Sequence, residues 1–461
     1  MSTRLQFFRE QLRSKYWFVP GILLVLAILL SVVLVDIDEQ VGFELIASIG
    51  WLYLGGPDGA RTVLSTIAGS TITVAGVVFS IVIVALSNAS NQFGPRLLTN
   101  FLRDRSNQFV LGIFLATFIY CLLILRTIRT GDEVTRAFVP YIAVTFGILM
   151  ALASILSFVY FVHHVSLSIS ANRVIDLVGD DLDQAIDRLY PSDAERTRGD
   201  FEHQLRRESD IPPDFDERLS EICSDDNGYL QAIDYNALIE IARDQNAILR
   251  VDCRPGVFVK KDGEIGAFYP GEQMDDEIHD RIRSQFILGP ERVGQQDIEF
   301  AIDQLVELAT RSLSAAINDP FTVMICIDRI GSALSTLAER KIPSGYFYDE
   351  EGRLRVIARQ VTFAGLIDDA FNLIRQYARG HVAVTIRLLE ALAMVAARVH
   401  QPGNVGHVWR HATMVYRSAM ESIPEPNDRE DVEIRYRLVQ RTLGIVDPER
   451  EEEVARSQAN L

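Results

Sequence analysis

The run WFVPGILLVLAILLSVVLV, residues Trp17 to Val35, decides the class of this protein. A bilayer core of about 30 Å needs about 20 consecutive apolar residues in a helix, and this run has nearly that length without a charged side chain. A cleaved signal peptide is the alternative, but no small-residue cleavage site follows before the acidic segment 36–39. The run therefore predicts a retained membrane anchor.

Three further apolar runs follow the first. They lie at Leu64–Leu86, Phe109–Leu125 and Phe138–Val162. Together the four runs predict four transmembrane helices, so that residues 1–165 form a membrane domain. Hydrophobic residues make up 48% of the chain, and their excess lies mainly before residue 165. The segment Val41–Leu54 is too short to cross a bilayer and is interpreted as interfacial.

Basic residues in the short loops predict the orientation of these helices, because Lys and Arg are enriched on the cytoplasmic side. They precede the first run and separate the second from the third, at Arg4, Arg9, Arg13, Lys15, Arg96, Arg103 and Arg105. The loop after the first run is acidic instead. We therefore expect both termini in the cytoplasm. The excess of arginine over lysine is typical of a GC-rich bacterial genome and places the protein in a bacterial inner (plasma) membrane, with the lipid bilayer as its partner.

A stripe of small and polar residues marks the second run. Its members recur at sequence steps of three, four and seven residues, which place them on one face of a helix. They are Thr66, Gly69, Thr73, Gly76, Ser80 and Ser87, followed by Asn91. Two interpretations remain open: close packing of helices, or a water-lined path through a homo-oligomer. No Asp, Glu, Lys, Arg or His lies inside the four runs, so a path of this kind would be passive and open to an ion or a small solute.

The stripe leads into a basic segment. Gly94 and Pro95 end the helix, and Arg96, Arg103 and Arg105 follow. In a symmetric oligomer these arginines would form a ring at the inner mouth that attracts anions. The other interpretation is the enrichment of basic residues at the cytoplasmic face, which needs no further role.

The rest of the chain alternates apolar and charged residues and predicts a soluble, mainly α-helical, α+β domain. We divide it into a helical extension and linker (166–226), a small β-rich unit (227–272), a helical domain (273–446) and a charged tail (447–461). Strands are predicted at 247–253, 257–260 and 265–269, and helices at 234–244, 296–316, 321–339, 356–379 and 381–399. The first soluble helix is predicted as a continuation of the fourth span to Leu189.

A motif in the second half resembles a known family. The Ile317-Asn318-Asp319-Pro320 run, the Arg254-Pro255-Gly256 turn and the segment SNASNQFGPR at 87–96 are similar to features of a bacterial membrane-protein family known as domain-of-unknown-function family 2254. Some members of the family read Ser-Pro-Gly where this chain has Ser314-Ala315-Ala316. The resemblance implies a shared fold and membrane topology over nearly the whole chain, and it implies no activity.

Two interpretations fit the Asn318–Asp319 corner. Asp319 suits a helix N-cap, Pro320 the first helical position, and Asn318 the left-handed conformation that often closes the preceding helix. The alternative is a ligand or ion pocket at two abutting helix ends, with Arg311 and Asp328 as further members.

Other site classes find less support. His407 and His411 stand four residues apart and could hold a metal only with a third ligand, so no metal is predicted. The four cysteines are scattered, which favours reduced thiols.

A net charge of −17 disfavours nucleic acid as a partner. No P-loop, nucleophile elbow, HExxH or dinucleotide fingerprint is present, so no catalytic residue and no cofactor are predicted.

The sequence thus favours an oligomeric ion channel or passive transporter with a cytoplasmic regulatory domain. A second hypothesis is a membrane-anchored regulatory or scaffold protein, in which the helices only hold a ligand- or partner-binding domain at the bilayer. A membrane enzyme acting at Asn318 and Asp319 is a third.

Overall fold

The computed structural model describes residues 17–40, 55–94, 105–130, 137–168, 170–191 and 210–445. The chain divides into two compact units, Met1–Val174 and Ile175–Leu461. The predicted interfacial segment Val41–Leu54 and the charged tail lie outside the described residues.

Long apolar helices build the first unit. They are α1 (Phe18–Gln40), α2 (Pro57–Phe93), α3 (Arg105–Thr127) and α4 (Tyr141–Ser168). Helices α2 and α3 contain the second and third predicted runs whole, whereas α1 begins one residue after the start of the first run and α4 three residues after the start of the fourth. Among the described residues five helices are long and apolar enough to cross a membrane, these four and Pro320–Ala338 of the second unit. Several apolar helices of spanning length are therefore present, whereas the prediction counted four.

Helix α1 is longer than the run that predicted it, because it continues through the acidic segment to Gln40. Asp38 in this extension is only 6% exposed. Its carboxylate oxygens accept hydrogen bonds from the backbone N–H groups of Ile142 (3.0 Å) and Ala143 (2.9 Å). The first N–H groups of a helix have no partner within it and lie at the positive end of its dipole. Asp38 therefore caps α4.

Helix α3 packs against α1, α2 and α4. Two buried polar contacts join it to α4: the hydroxyl oxygens of Thr117 and Ser154 lie 3.0 Å apart, and the Tyr120 hydroxyl donates to the Ala143 carbonyl at 2.8 Å. Asn107 is an exception, since its buried amide has no hydrogen-bond partner among the described residues. The interior of this unit is thus held mainly by apolar packing with a few hydroxyl contacts.

The second unit contains two small sheets. Their strands are β1 (Ser220–Cys223), β2 (Gly228–Ile233), β3 (Ile248–Val251), β4 (Phe258–Val259), β5 (Glu264–Tyr269), β6 (Phe286–Gly289), β7 (Tyr346–Tyr348) and β8 (Leu354–Ala358). One sheet has the order β1-β5-β3-β8-β7 and the other β4-β2-β6. Only β3 and β8 pair in parallel, with Leu249 opposite Val356. The three predicted strands are present, and β6 to β8 extend the sheets with residues beyond 272.

The start of the predicted helix 356–379 is wrong, because β8 occupies Leu354–Ala358 and the helix begins only at Phe363. Leu354 and Val356 are buried in the sheet. A short apolar run suits a strand or a helix equally, and the partner that decides for the strand, β3, lies about a hundred residues earlier in the chain.

The described residues of the second unit also form helices. They are α5 (Ala171–Leu189), which leads from the first unit into the second, α6 (Tyr235–Asp244), α7 (Asp276–Arg283), α8 (Ile298–Ser312), α9 (Pro320–Ala338), α10 (Phe363–Tyr377), α11 (Val382–Ala396), α12 (Pro402–Ser422) and α13 (Pro426–Thr442). Helix α8 packs against α9 and α10, and α11 packs against α9, α12 and α13. The helices predicted at 234–244, 296–316, 321–339 and 381–399 are confirmed within a few residues. The continuous helix predicted to Leu189 is instead two helices, α4 and α5.

Candidate functional site

The predicted stripe lies on the outer side of α2. All six of its residues with described side chains are exposed, namely Thr66, Gly69, Thr73, Gly76, Ser80 and Ser87. A Cβ atom added at Gly69 or Gly76 would meet nothing within 4 Å. Within the described residues, the stripe is therefore not a packing seam of its own chain. The side chain of Asn91 lies outside the described residues.

The opposite face of α2 packs against the rest of its unit. Its buried positions recur every three or four residues: Ala60, Leu64, Ala68, Thr71, Ala75, Val78, Val82, Ala85 and Ala89. Thr73 lies two residues, or about 200°, from Ala75, which puts the two on opposite sides of the helix. Small residues thus line both faces, with alanine inside and glycine or hydroxyl residues outside.

The hydroxyl groups of the stripe bond to their own helix. Thr66 donates to the Thr62 carbonyl at 2.7 Å, and Thr73 donates to the Gly69 carbonyl at 2.8 Å. Back-bonding of this kind satisfies the hydroxyl proton inside the helix. The oxygen of each group remains on the exposed side as an acceptor, and such oxygens favour water or cations over anions.

One of the predicted inner-mouth arginines can be placed. Arg105 is the first residue of α3 and is exposed. Arg96 and Arg103 lie outside the described residues, so a basic ring stays a prediction.

The Asn318–Asp319 corner has the predicted local geometry. Asn318 has φ of 48°, and Asp319 accepts hydrogen bonds from the backbone N–H groups of Phe321 (3.1 Å) and Thr322 (3.2 Å). Its other carboxylate oxygen accepts from the Thr322 hydroxyl at 2.6 Å. Asp319 is thus an N-cap whose oxygens are already occupied.

The other two members of the predicted pocket have partners elsewhere. Arg311 pairs with Glu307 one turn earlier in α8 at 3.2 Å. Asp328 faces Arg387 of α11 at 3.4 Å. The structure therefore gives a helix corner at Asn318–Asp319, and it brings neither Arg311 nor Asp328 onto the Asp319 carboxylate.

His411 is buried beside a carboxylate. Its Nε2 lies 2.8 Å from Asp368 Oδ1, and Arg410 pairs with the same carboxylate. Burial lowers the pKa of His411 below its ordinary value. His407 is half-buried and does not share these contacts. Within the described residues, no group of three or more His, Cys, Asp or Glu residues is arranged to hold a metal.

Sequence analysis missed a charged cluster around the Arg-Pro-Gly turn. Arg254 lies 2.5 Å from Glu299 in the first turn of α8. Gly256 has φ of 95°, and a Cβ there would lie 2.2 Å from Oδ2 of Asp297, the N-cap of α8. Glycine is thus required both by the left-handed backbone and by the close approach. The turn therefore packs directly against the start of α8.

Further charges complete this cluster. Arg292 pairs with Asp297 at 2.8 Å and with Asp303 at 2.6 Å. Burial, together with the nearby carboxylates of Glu299 and Asp303, raises the pKa of Asp369 to about 6, although this side chain still reaches solvent. The acidic residues near the start of α8 were the available signal, but their spacing is equally typical of a solvated helix face. The cluster can stabilise the turn and take up a proton near pH 6.

Comparison with known proteins agrees with the sequence resemblance. The family model described as "Predicted membrane protein (DUF2254)" matches residues 13–394. An uncharacterized protein of Mycobacterium bovis and uncharacterized proteins of two Mycobacterium tuberculosis strains are each 32% identical over 383 residues, covering 82% of this chain and 71% of the relative. No solved structure matches the chain significantly. The family resemblance inferred from the motifs is confirmed.

Proposed function

We propose that this chain, which belongs to the family described as "Predicted membrane protein (DUF2254)", is an oligomeric ion channel or passive transporter with a regulatory second unit. Copies of the chain meet along the outer face of α2, and the stripe from Thr66 to Ser87 lines the path. One observation carries the proposal: this stripe is exposed, on the side of α2 that the described residues of its own unit do not use.

The residues beside the stripe support contact with a neighbouring copy. Large apolar side chains flank it on both sides and are exposed, with Ile72 and Phe79 on one side and Val77 and Val84 on the other. A helix face that contacts only lipid would be expected to carry large apolar residues along its whole length. Small residues between them allow backbones to approach closely across a helix–helix contact.

The chemistry of the stripe favours passive conduction. Hydroxyl oxygens and helix carbonyls can replace part of the hydration shell of a permeating cation. None of the stripe residues ionises, and coupled transport usually requires ionisable groups at membrane depth. The proposed permeant species is therefore a small cation or a polar solute that moves down its gradient.

The proposed topology has four crossings, α1 to α4, with both termini in the cytoplasm of a bacterium. Basic residues before α1 and before α3 support this orientation. Helix α9 is assigned to the soluble unit because 61% of its most apolar window is buried there. It also carries Asp328 and Arg329, which pair with Arg387 and Asp176 of the same unit.

Reconstitution with a single substitution tests the proposal. Wild-type protein, verified as an oligomer by chemical cross-linking in liposomes, should conduct ions or release a small solute. Gly76→Leu should abolish that flux because a leucine would fill the path. The variant should remain folded, since a Cβ added at Gly76 meets no atom within 4 Å, and glycine to leucine raises helix propensity by up to about 1 kcal/mol.

The matched control is Val33→Leu, which enlarges an exposed side chain of α1 outside the proposed contact between copies and should conduct like the wild type. If Gly76→Leu dissociates the oligomer, the stripe is a packing seam between copies. Absence of flux in a verified wild-type oligomer would contradict the channel proposal.

A second candidate function is a membrane anchor for a regulatory or scaffold domain. It is supported by the separate core of the second unit, in which Leu249, Phe268 and Val356 are at most 1% exposed. This candidate predicts that a fragment of residues 175–461, once shown by circular dichroism to be folded, binds the same cytoplasmic partner as the full chain. Loss of binding in a folded fragment would count against it.

A further inference from the structure

One end of the second unit carries exposed apolar residues. At the corner between α8 and α9, Ile317 is 41% exposed and Phe321 is 73% exposed. Phe321 is the most exposed of all large apolar residues in the described part of the chain, ahead even of Leu156 in α4 at 71%. Tyr377, at the end of α10, is 52% exposed. Exposed apolar residues that lie together indicate a surface that contacts a partner or a membrane.

Parallel helices bring these residues to the same end of the unit. Helix α9 packs against α11, and their contacts follow in the same order along both helices. Asp328 lies opposite Arg387 near the start of α11, and Glu339 pairs with Arg398 just after its end. The starts of α9 and α11 therefore lie at one end. Helix α10 ends a few residues before α11 begins, so Tyr377 lies at this end as well.

The chain enters the second unit at the same end. Helix α5 also runs parallel to α9, because Asp176 pairs with Arg329 and Asp187 pairs with Arg340. Phe321 precedes Arg329 by a little over two helical turns, or about 12 Å. Phe321 therefore lies beyond Asp176, on the side from which the chain arrives.

A short connection joins this end to a helix of membrane-spanning length. The apolar part of α4 ends at Val165, and the second unit begins at Ile175. Helix α4 continues to Ser168 and α5 starts at Ala171, so the connection is at most about 20 Å long. If α4 crosses the bilayer, the length of chain alone holds the entry end of the second unit near the lipid surface.

We propose that this end of the second unit docks on the surface of the lipid bilayer, with Phe321, Ile317 and Tyr377 in the headgroup region. Tyrosine is enriched at that depth, and the apolar side chains of surface-bound helices are buried there. The proposal uses the topology given above, with α4 as a span and α9 in the soluble unit. It does not depend on conduction, so an absence of flux would leave it unaffected.

Tryptophan fluorescence of the full-length protein tests the docking. Phe321→Trp is reconstituted into vesicles of phosphatidylcholine with brominated acyl chains, and its emission is compared with that in unbrominated vesicles. Bromine quenches tryptophan only at close range. The emission that the variant adds to the wild-type background should therefore be largely lost. Tyr377→Trp should behave in the same way, and it keeps the test decisive if Phe321→Trp fails to fold.

The matched control is Phe258→Trp, at a position that is 57% exposed in the same unit. Phe258 follows the Arg-Pro-Gly turn, which packs against the start of α8, whereas the corner lies at the other end of α8, about 20 Å away. The emission that this control adds should remain in brominated vesicles. Circular dichroism verifies that each variant is folded.

Other occupants of the corner give different results. If a second copy of the chain covers it, the added emission of Phe321→Trp shifts to the blue without quenching. If the corner is open to water, the added emission is neither shifted nor quenched. Ser332 is exposed in the middle of α9, and quenching of Ser332→Trp would mean that α9 itself crosses the bilayer. Each of these three results would overturn the proposal.

Discussion

The two units of this protein treat buried polar groups in different ways. In the first unit, the buried Asp38 carboxylate bonds to backbone N–H groups and Tyr120 donates to a backbone carbonyl. In the second unit, the buried Arg355 pairs with Asp349 at 2.7 Å, with side chains 4% and 2% exposed. Asp38 is thus satisfied by the start of a helix, whereas Asp349 has a cation beside it in addition to backbone N–H groups.

This difference agrees with the proposed topology, in which the first unit lies in the bilayer and the second in water. A charge inside a bilayer is costly, so membrane helices keep few of them and place those few near helix ends. A unit surrounded by water can bring two charges inward together, provided that each has its partner. We therefore expect substitutions to act through the loss of a charge partner in the second unit and through the loss of a helix cap in the first.

The largest effect should come from Arg355→Met. The substitution leaves Asp349 buried without its cation, and breaking one side of a buried pair destabilises by about 3–5 kcal/mol. Thermal unfolding of the detergent-solubilised protein, followed by circular dichroism, measures the change. Arg353→Met is the control, because Arg353 and Glu351 are each 62% exposed and such pairs contribute about 1 kcal/mol or less. Equal effects of the two substitutions would contradict the distinction.

A somewhat smaller effect is expected for Asp38→Ala. It removes two hydrogen bonds to a carboxylate and leaves the N–H groups of Ile142 and Ala143 without a partner, which should destabilise by about 2–4 kcal/mol. Unfolding by sodium dodecyl sulfate measures the stability of the helical bundle. Asp36→Ala is the matched control, since Asp36 is exposed and its carboxylate accepts a hydrogen bond from Gln40 of its own helix. If Asp36→Ala destabilises as much, the capping role of Asp38 is wrong.

The smallest effect is expected for Asp369→Asn and should depend on pH. The folded state raises the pKa of Asp369 to about 6, against about 3.9 in an unfolded chain. Between these two pKa values, the folded state binds a proton at Asp369 more tightly than the unfolded state does. The free energy of unfolding therefore decreases as pH rises from about 4 to above 6.

The asparagine variant should therefore match the wild type at pH 4 and melt about 1 °C higher at pH 7.5, since the exposed side of this carboxyl is screened by solvent. Glu430→Gln, at an exposed position of α13, is the control and should show no such trend. If Asp369→Asn instead stabilises the protein at low pH, the pKa of Asp369 is not raised in the folded state.

Local features of the fold could be predicted well. The run Trp17–Val35 predicts a helix, and Asn318 and Asp319 adopt the left-handed and capping conformations that their residue types favour. The site was less predictable. The stripe on α2 was evident, but small residues also recur on the opposite face, at Ala68 and Ala75, and spacing alone does not tell which face a helix uses for packing.

The sequence by itself determined what depends on neighbouring residues: the apolar runs, the helix caps and the family. Tertiary structure alone decided which distant groups meet. It brought Asp38 to the start of α4, set β8 beside β3, and turned the α2 stripe away from its own unit. The physical reason is that propensity and hydrophobic period act over a few residues, whereas a hydrogen bond or a packed face requires a partner that only the folded chain supplies.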